Sequence, residues 1–356
     1  MNRSKSKISR RQFVGRMSAL SAASALFFHP FNTPAANLKL LKPPRLSTGD
    51  TVGLVSPASC AFEPSTIRSG METLQTLGYK VKLGKYIREK YGYLAGTDEQ
   101  RVEDLHQMFL DEEIRAIVAL RGGYGSMRLL NQLDYSLIKN HPKILLGYSD
   151  ITSLCLGIHA KTGLVTFHGP VAISSFSEYT RHNFYKVVAD NRPLGEIAHP
   201  DPGTTLRPTA HLATIRPGKA SGILIGGNLT LLTALLGTAY EPDFRKAILF
   251  LEETGEEPYD IDRMLTQLLL AGKLDQVAGI IFDRCPNCKP ADYKPAFSVT
   301  FSLEEVLNDR LGRLDCPVLF GLNLGHVADK PTLPIGIAAT LDADNRSLSI
   351  DESAVV

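Results

Sequence analysis

Three widely spaced side chains in this sequence have the types and the order that acyl transfer requires. Ser149 lies in "LLGYSDITSL", residues 145–154, between an apolar run and the start of a helical pattern. One reading is a helix N-cap, a position where serine is common. The other is a nucleophile held at a sharp strand-to-helix turn, where the next N–H can serve an oxyanion. The pattern is G-x-S-D rather than G-x-S-x-G, so on this feature alone the cap is the stronger reading. A hydroxyl becomes a nucleophile only beside a base, and the base needs an orienting acid. "AILFLEE" ends an apolar run on Glu252 and Glu253, and "LFGLNLGHVADK" ends another with His326 behind Gly325. Ser149, Glu252 and His326 thus follow the serine–acid–histidine order of α/β-hydrolases. Glu252 could equally open the solvated stretch "EETGEE", and His326 could be a hydrogen-bonded loop residue. His168, in "TFHGP", is a rival base.

Glycines supply the second chemical feature. "LRGGYGSMRLL" places Gly122, Gly123 and Gly125 after a strand pattern and before a helical one. Such a turn lets backbone N–H groups face a cleft at the strand's C-terminal end, the edge where open α/β sheets bind ligands. It could also be a tight turn and nothing more. The Walker pattern is absent, and so is G-x-G-x-x-G, which weighs against a phosphate-binding loop and a dinucleotide oxidoreductase. The five cysteines are Cys60, Cys155, Cys285, Cys288 and Cys316. "CPNC" could be a disulfide or half of a metal site, but zinc wants four ligands and there is no second pair. The favoured reading is a surface loop with a local disulfide or two free thiols.

Short β-type runs alternating with amphipathic helical stretches must position these residues. From residue 51, "TVGLVSPAS", "YKVKLG", "IRAIVALRGG", "KILLGYSD" and "GLVTFHGP" read as five strands. A helix over residues 64–77 stops at Gly78. Thr97 followed three residues later by Gln100 is a capping-box start, and Val102, Leu105, Met108 and Phe109 then fall at helical spacing. Strands alternating with helices predict an α/β fold with a mostly parallel sheet covered on both faces. Residues 191–218, rich in Pro, Gly and Thr, read as a linker between a domain over 44–190 and a mixed, β-rich one over 219–352. In the second, "SGILIGGN", a helix over 229–236, "AILFLEE", a helix over 261–271, "VAGIIFD" and short strands after residue 317 are expected.

Of 356 residues, 44% are hydrophobic and 21% charged, ordinary globular composition for one large or two medium domains. A net charge of +2, from 39 basic and 37 acidic residues, gives no reason to expect nucleic acid or a polybasic membrane surface. Residues 1–36 differ, with a basic, acid-free start, an apolar stretch over about 17–28 and a Pro/Ala-rich end. That is the plan of a signal peptide. "SRRQFVG", with Arg10 and Arg11, resembles a twin-arginine export signal. The apolar stretch is short for a bilayer span, so the expectation is a periplasmic protein without stable membrane insertion after signal removal.

Taken together, "RGGYGSMRLL", "GYSDIT", "FHGP", "GGNLTLL", "LFLEE" followed by "YDIDRMLTQL", and "GLNLGH" resemble the serine LD-carboxypeptidases, or muramoyltetrapeptide carboxypeptidases, in order over about residues 51–336. The resemblance implies a Rossmann-like, mostly parallel sheet domain joined to a smaller β-rich C-terminal domain. It implies Ser149 as nucleophile, His326 as general base, Glu252 as orienting acid, an oxyanion hole from the backbone N–H groups of Gly123 and Asp150, and Asn228 in "GGN" lining the substrate cleft. It implies no metal or cofactor and a homodimer. The implied substrate is a peptidoglycan stem tetrapeptide, cut between an L-centre and the terminal D-alanine. Arg121 and Arg263 are candidates by placement for holding the free carboxylate. The alternatives are a microcin C immunity-type peptidase of the same family, disfavoured by the absence of tryptophan, and a non-catalytic periplasmic peptide-binding protein.

Overall fold

In the computed structural model, which describes residues 39–200 and 212–356, the apolar runs become the strands of two sheets. The first half alternates β1 (Thr51–Val55), α1 (Pro64–Thr76), β2 (Lys80–Leu83), α2 (Asp98–Leu110), β3 (Ile114–Ala119), α3 (Tyr135–Asn140), β4 (Ile144–Gly147), α4 (Thr152–Thr162), β5 (Thr166–His168) and α5 (Glu178–Ala189). Strands β1 to β5 pair in parallel in the spatial order 5-4-3-1-2. All four residues of β4 are buried, as expected of a strand covered on both faces. Local residues fix the N-termini of α1 and α2. Pro64 occupies the first turn of α1, and Thr97 and Gln100 close a capping box on α2.

The second sheet has eight strands. It is built from β6 (Gly195–Glu196), β7 (Ala213–Arg216), β8 (Lys219–Asn228), β9 (Ala247–Glu252), β10 (Gly279–Asp283), β11 (Val318–Leu322), β13 (Ala338–Asp342) and β14 (Ser347–Ile350). Its centre, β8-β9-β10-β11, is parallel, and antiparallel strands finish both edges. The intervening helices are α6 (Leu229–Ala234), α7 (Pro258–Leu270) and α8 (Leu303–Leu311). Helix α7 begins three residues before the sequence-based start at 261, because Pro258 pre-sets the first turn.

Strand β12 (Leu333–Ile335) leaves this half of the chain and pairs antiparallel with β5, setting Leu333 opposite His168. One C-terminal strand therefore completes the first sheet, and it follows His326 by only a few residues. The stretch read as a linker supplies β6 and β7 at opposite edges of the second sheet; residues 201–211 within it, and the signal segment 1–36, lie outside the described residues. Among the described residues no helix is long and apolar enough to cross a membrane.

Candidate active site

Ser149 sits where β4 gives way to α4, at the head of a single 3-10 turn, Ser149–Ile151. Its φ is +63°, the left-handed region that a non-glycine residue adopts only when its surroundings impose it. The N-cap reading fails on this observation, because a cap residue has extended φ and its side-chain oxygen accepts a helix N–H. Ser149 does neither. The neighbouring loop is fitted to it: a Cβ on Gly122 would stand 3.0 Å from the Ser149 Cβ.

The carboxylate of Asp150 explains how the two loops are joined. It accepts the N–H groups of Gly125, at 3.2 Å, and Ser126, at 2.8 Å, while the Ser126 hydroxyl donates to the Asp150 carbonyl at 2.6 Å. Burial raises the Asp150 carboxyl, and these N–H bonds work against that rise. The side chain is thus committed to holding the glycine turn, and only its backbone N–H can serve a ligand. Gly123 is exposed at φ +117°, and any Cβ there would strike Ser59. Neither the Gly123 nor the Asp150 amide donates to another described residue.

Glu252 ends β9 and is fully buried. Its Oε2 lies 2.7 Å from His326 Nδ1. Burial by itself would raise the Glu252 carboxyl, but the hydrogen bond and charge of His326 hold it below the usual glutamate value. Burial likewise works to lower the His326 imidazole, and Glu252 overcomes it and raises the group above the usual histidine value. A carboxylate at Nδ1 fixes the imidazole tautomer and leaves Nε2 free to exchange a proton. Gly325 is glycine because the Glu252 carboxylate occupies the space its Cβ would need. The Tyr148 ring, one residue before Ser149, packs against the His326 ring with centroids 4.9 Å apart. The turn bearing Ser149 and the Glu252–His326 pair therefore belong to one cluster.

Further buried polar residues surround the pair. Glu253 is buried and accepts the Asn228 amide at 2.9 Å and the Thr230 N–H at 2.9 Å. Asn228 in turn caps α6 through the Leu231 N–H. With its amide engaged on both sides and only 3% exposed, Asn228 acts in this structure as a brace for Glu253. Asp283 is also buried; burial and the nearby Glu252 charge push its carboxyl up to about 7, against N–H bonds from Leu324 and Arg284. The adjacent "EE" in "LFLEE" is the available signal for Glu253. None marks Asp283.

His168 does not fit the role of a rival base. Its Nε2 donates to the Leu324 carbonyl at 3.0 Å, and the ring is buried between Tyr148 and Phe250. Burial lowers its pKa. The "CPNC" reading needs a larger correction. Cys285 and Cys288 are free thiols, but both are buried rather than set on a surface loop. The Glu253 N–H donates to the Cys285 Sγ at 3.1 Å, and that pairing draws the turn inward. Among the described residues no group of three or more His, Cys, Asp or Glu could hold a metal.

Residues 52–169 match the profile of the LD-carboxypeptidase N-terminal domain, and residues 221–341 that of the LD-carboxypeptidase C-terminal domain. The chain belongs to the LD-carboxypeptidase family. It is 42% identical over 310 residues to a probable murein peptide carboxypeptidase of Bacillus subtilis, covering 87% of this chain and 94% of that one. The structure of the microcin C7 self-immunity protein MccF in complex with aspartyl sulfamoyl adenosine superposes with a TM-score of 0.79 at 32% identity, covering 89% of this chain and all of the other. A muramoyltetrapeptide carboxypeptidase from Oxalobacter formigenes gives 0.72 at 28% identity, over 85% and 99% of the two chains. The α/β architecture with two sheets is the family's own, and the chain is a peptidase of the LD-carboxypeptidase class.

Proposed function

We propose that this LD-carboxypeptidase is a serine enzyme that releases the terminal D-alanine from peptidoglycan stem tetrapeptides. The observation that carries the reading is the positive φ of Ser149 in a turn packed against the Glu252–His326 pair. Backbone strain of this kind costs on the order of 1–3 kcal/mol and persists where function uses it. The names of the relatives supply the substrate class.

Ser149 Oγ attacks the carbonyl carbon of the L-centre as His326 Nε2 takes the hydroxyl proton. Glu252 stabilises the imidazolium that forms. The carbonyl oxygen becomes an oxyanion facing the N–H groups of Gly123 and Asp150. Losing one such donor costs about 3 kcal/mol of transition-state stabilisation. Collapse breaks the C–N bond, and D-alanine leaves with the proton returned by His326. Water, deprotonated by the same imidazole, then frees the tripeptide from Ser149. Asn228 and Glu253 position the end of β9 that carries Glu252.

Similarity to MccF favours one other reading, hydrolysis of an aminoacyl nucleotide. Incubating the mature protein with defined tetra- and pentapeptide muropeptides, and separately with an aminoacyl sulfamoyl adenosine, discriminates between them by mass spectrometry. The proposal expects D-alanine from the tetrapeptide at a kcat/KM well above that for the nucleotide; the reverse order overturns it. The twin-arginine pattern of residues 9–15 supports export to the periplasm, and the family resemblance supports a homodimer over a domain pair at 44–190 and 219–352. Cell fractionation tests the export, and light scattering on the purified protein tests the dimer.

A further inference from the structure

A carboxypeptidase must recognise a free C-terminal carboxylate, and peptide geometry limits where that recognition can happen. The carboxylate carbon of the last residue is three bonds from the scissile carbonyl carbon, so the two lie within about 4 Å of each other. Whatever binds the carboxylate must therefore border the oxyanion site. Four cations near the cluster can be compared. Arg263 is 67% exposed on α7 and already ion-paired with Asp260. Lys330 is buried, with its ammonium 5.3 Å over the Tyr148 ring, where it faces the charges of Asp283, Glu252 and Asp329. That environment makes it a counter-charge for the buried carboxylates. Arg284 lies at the end of β10, its backbone tied to Asp283 and Leu322.

Arg121 differs from all three in its place in the chain, on the loop that packs against the Ser149 turn. It directly precedes Gly122, the residue packed on Ser149, and lies two positions before Gly123. The guanidinium is half-buried between two loops that leave the sheet edge, after β1 and after β3. Its Nη1 makes one long contact, 3.4 Å, to the Cys60 carbonyl, and its Cζ lies 5.8 Å from the ring centroid of Phe62, which is 59% exposed. The buried Nε has no hydrogen-bond partner, and the guanidinium's one hydrogen bond among the described residues goes to a carbonyl rather than a carboxylate. A guanidinium carries five N–H donors in a fork that matches a carboxylate. Leaving such donors buried and unmatched is costly unless something else fills them.

We infer that Arg121 is the anchor for the substrate's C-terminal carboxylate, so that one loop supplies both the oxyanion donor of Gly123 and the cation that fixes the leaving residue. The inference rests on the carboxypeptidase reading and deepens it. An anchor beside the oxyanion site measures a single residue, which restricts the enzyme to removing one amino acid at a time.

The test compares a stem tetrapeptide acid with its C-terminal amide as substrates of the wild type, Arg121→Gln and Arg121→Lys, with thermal melts to establish folding. The wild type is expected to prefer the acid by about 100-fold in kcat/KM, the scale of a buried charge pair. Arg121→Gln is expected to lose most of that preference by falling far more on the acid than on the amide, and Arg121→Lys to restore part of it. Should Arg121→Gln not fold, an Arg121→Lys variant with undiminished discrimination overturns the anchor. Discrimination retained in Arg121→Gln overturns the anchor alone. A wild type that releases neither D-alanine from the acid nor D-alaninamide from the amide overturns the carboxypeptidase reading and the anchor with it.

Discussion

The Oε2 atom of Glu252 stands 2.7 Å from Nδ1 of His326, and the carboxylate that carries it is wholly shielded from solvent. Each group shifts the other. Burial opposes both charges, and their mutual attraction overcomes it, lowering Glu252 and raising His326. The role proposed for His326 as base requires a neutral ring, so the acid limb of the kcat/KM profile should lie above the ordinary histidine value of about 6.5. Glu252→Gln removes the charge that raises the imidazole. The acid limb should then move to lower pH while kcat falls by about 10⁴-fold, the scale seen when a buried orienting carboxylate is neutralised. An unshifted limb in the variant would show that another group sets the profile.

Stability should follow the same linkage. His326 is raised, so its contribution is full below the unfolded histidine value and lost as pH climbs through the folded one. Glu252 is lowered, so its contribution is present above the ordinary glutamate value and lost as pH falls through the depressed one. The two overlap in a window from above about pH 5 to about neutrality. Thermal melts from about pH 3 to about pH 9 should show the wild type losing its advantage over Glu252→Gln below the acid end of that window and above its alkaline end.

Strain at Ser149 makes a separate prediction. Glycine adopts φ +63° without penalty. Ser149→Gly should therefore raise stability by about 1 kcal/mol while abolishing turnover, a rise of about 2–4 °C in Tm. Ser149→Ala keeps the strain and should melt close to the wild type. Equal melting of the two variants would contradict the strained-turn account.

Cys285 connects the second sheet to the site through the Glu253 N–H. Cys285→Ala removes a buried acceptor and should cost about 1–3 kcal/mol in denaturant unfolding, whereas Cys285→Ser, which keeps an acceptor, should cost less. Both thiols are buried, so thiol reagents should react with them far faster in denaturant than in native buffer.

Much of the fold and of the site is legible in the residues themselves, and the reasons are local. Thr97 and Gln100 announce their helix because a capping box is a contact between near neighbours. Strands β4, β9 and β10 stand out because burial on both faces demands unbroken apolar runs. The order Ser149, Glu252, His326 is readable, since each closes or follows such a run. What escapes depends on partners distant in sequence. Strand β12 is three residues long, and nothing in "LPI" says that it pairs with β5. Strands β6 and β7 hide in a Pro/Gly/Thr-rich stretch because short edge strands are held by backbone pairing. His168 resembles His326 in its setting, following an apolar run beside a glycine; the Leu324 carbonyl and full burial separate it from His326. Cys285 and Cys288 resemble a surface turn until the Glu253 N–H is seen to require a buried acceptor.

The central claim is that the Ser149 hydroxyl is the attacking group. It is tested most directly by rapid acid quench of the enzyme with a stem tetrapeptide, followed by peptide mapping, with Ser149→Ala run in parallel. The account expects a tripeptidyl adduct on the peptide containing Ser149, formed as D-alanine is released, and neither adduct nor D-alanine from the variant. Release of D-alanine by Ser149→Ala at the wild-type rate would contradict it.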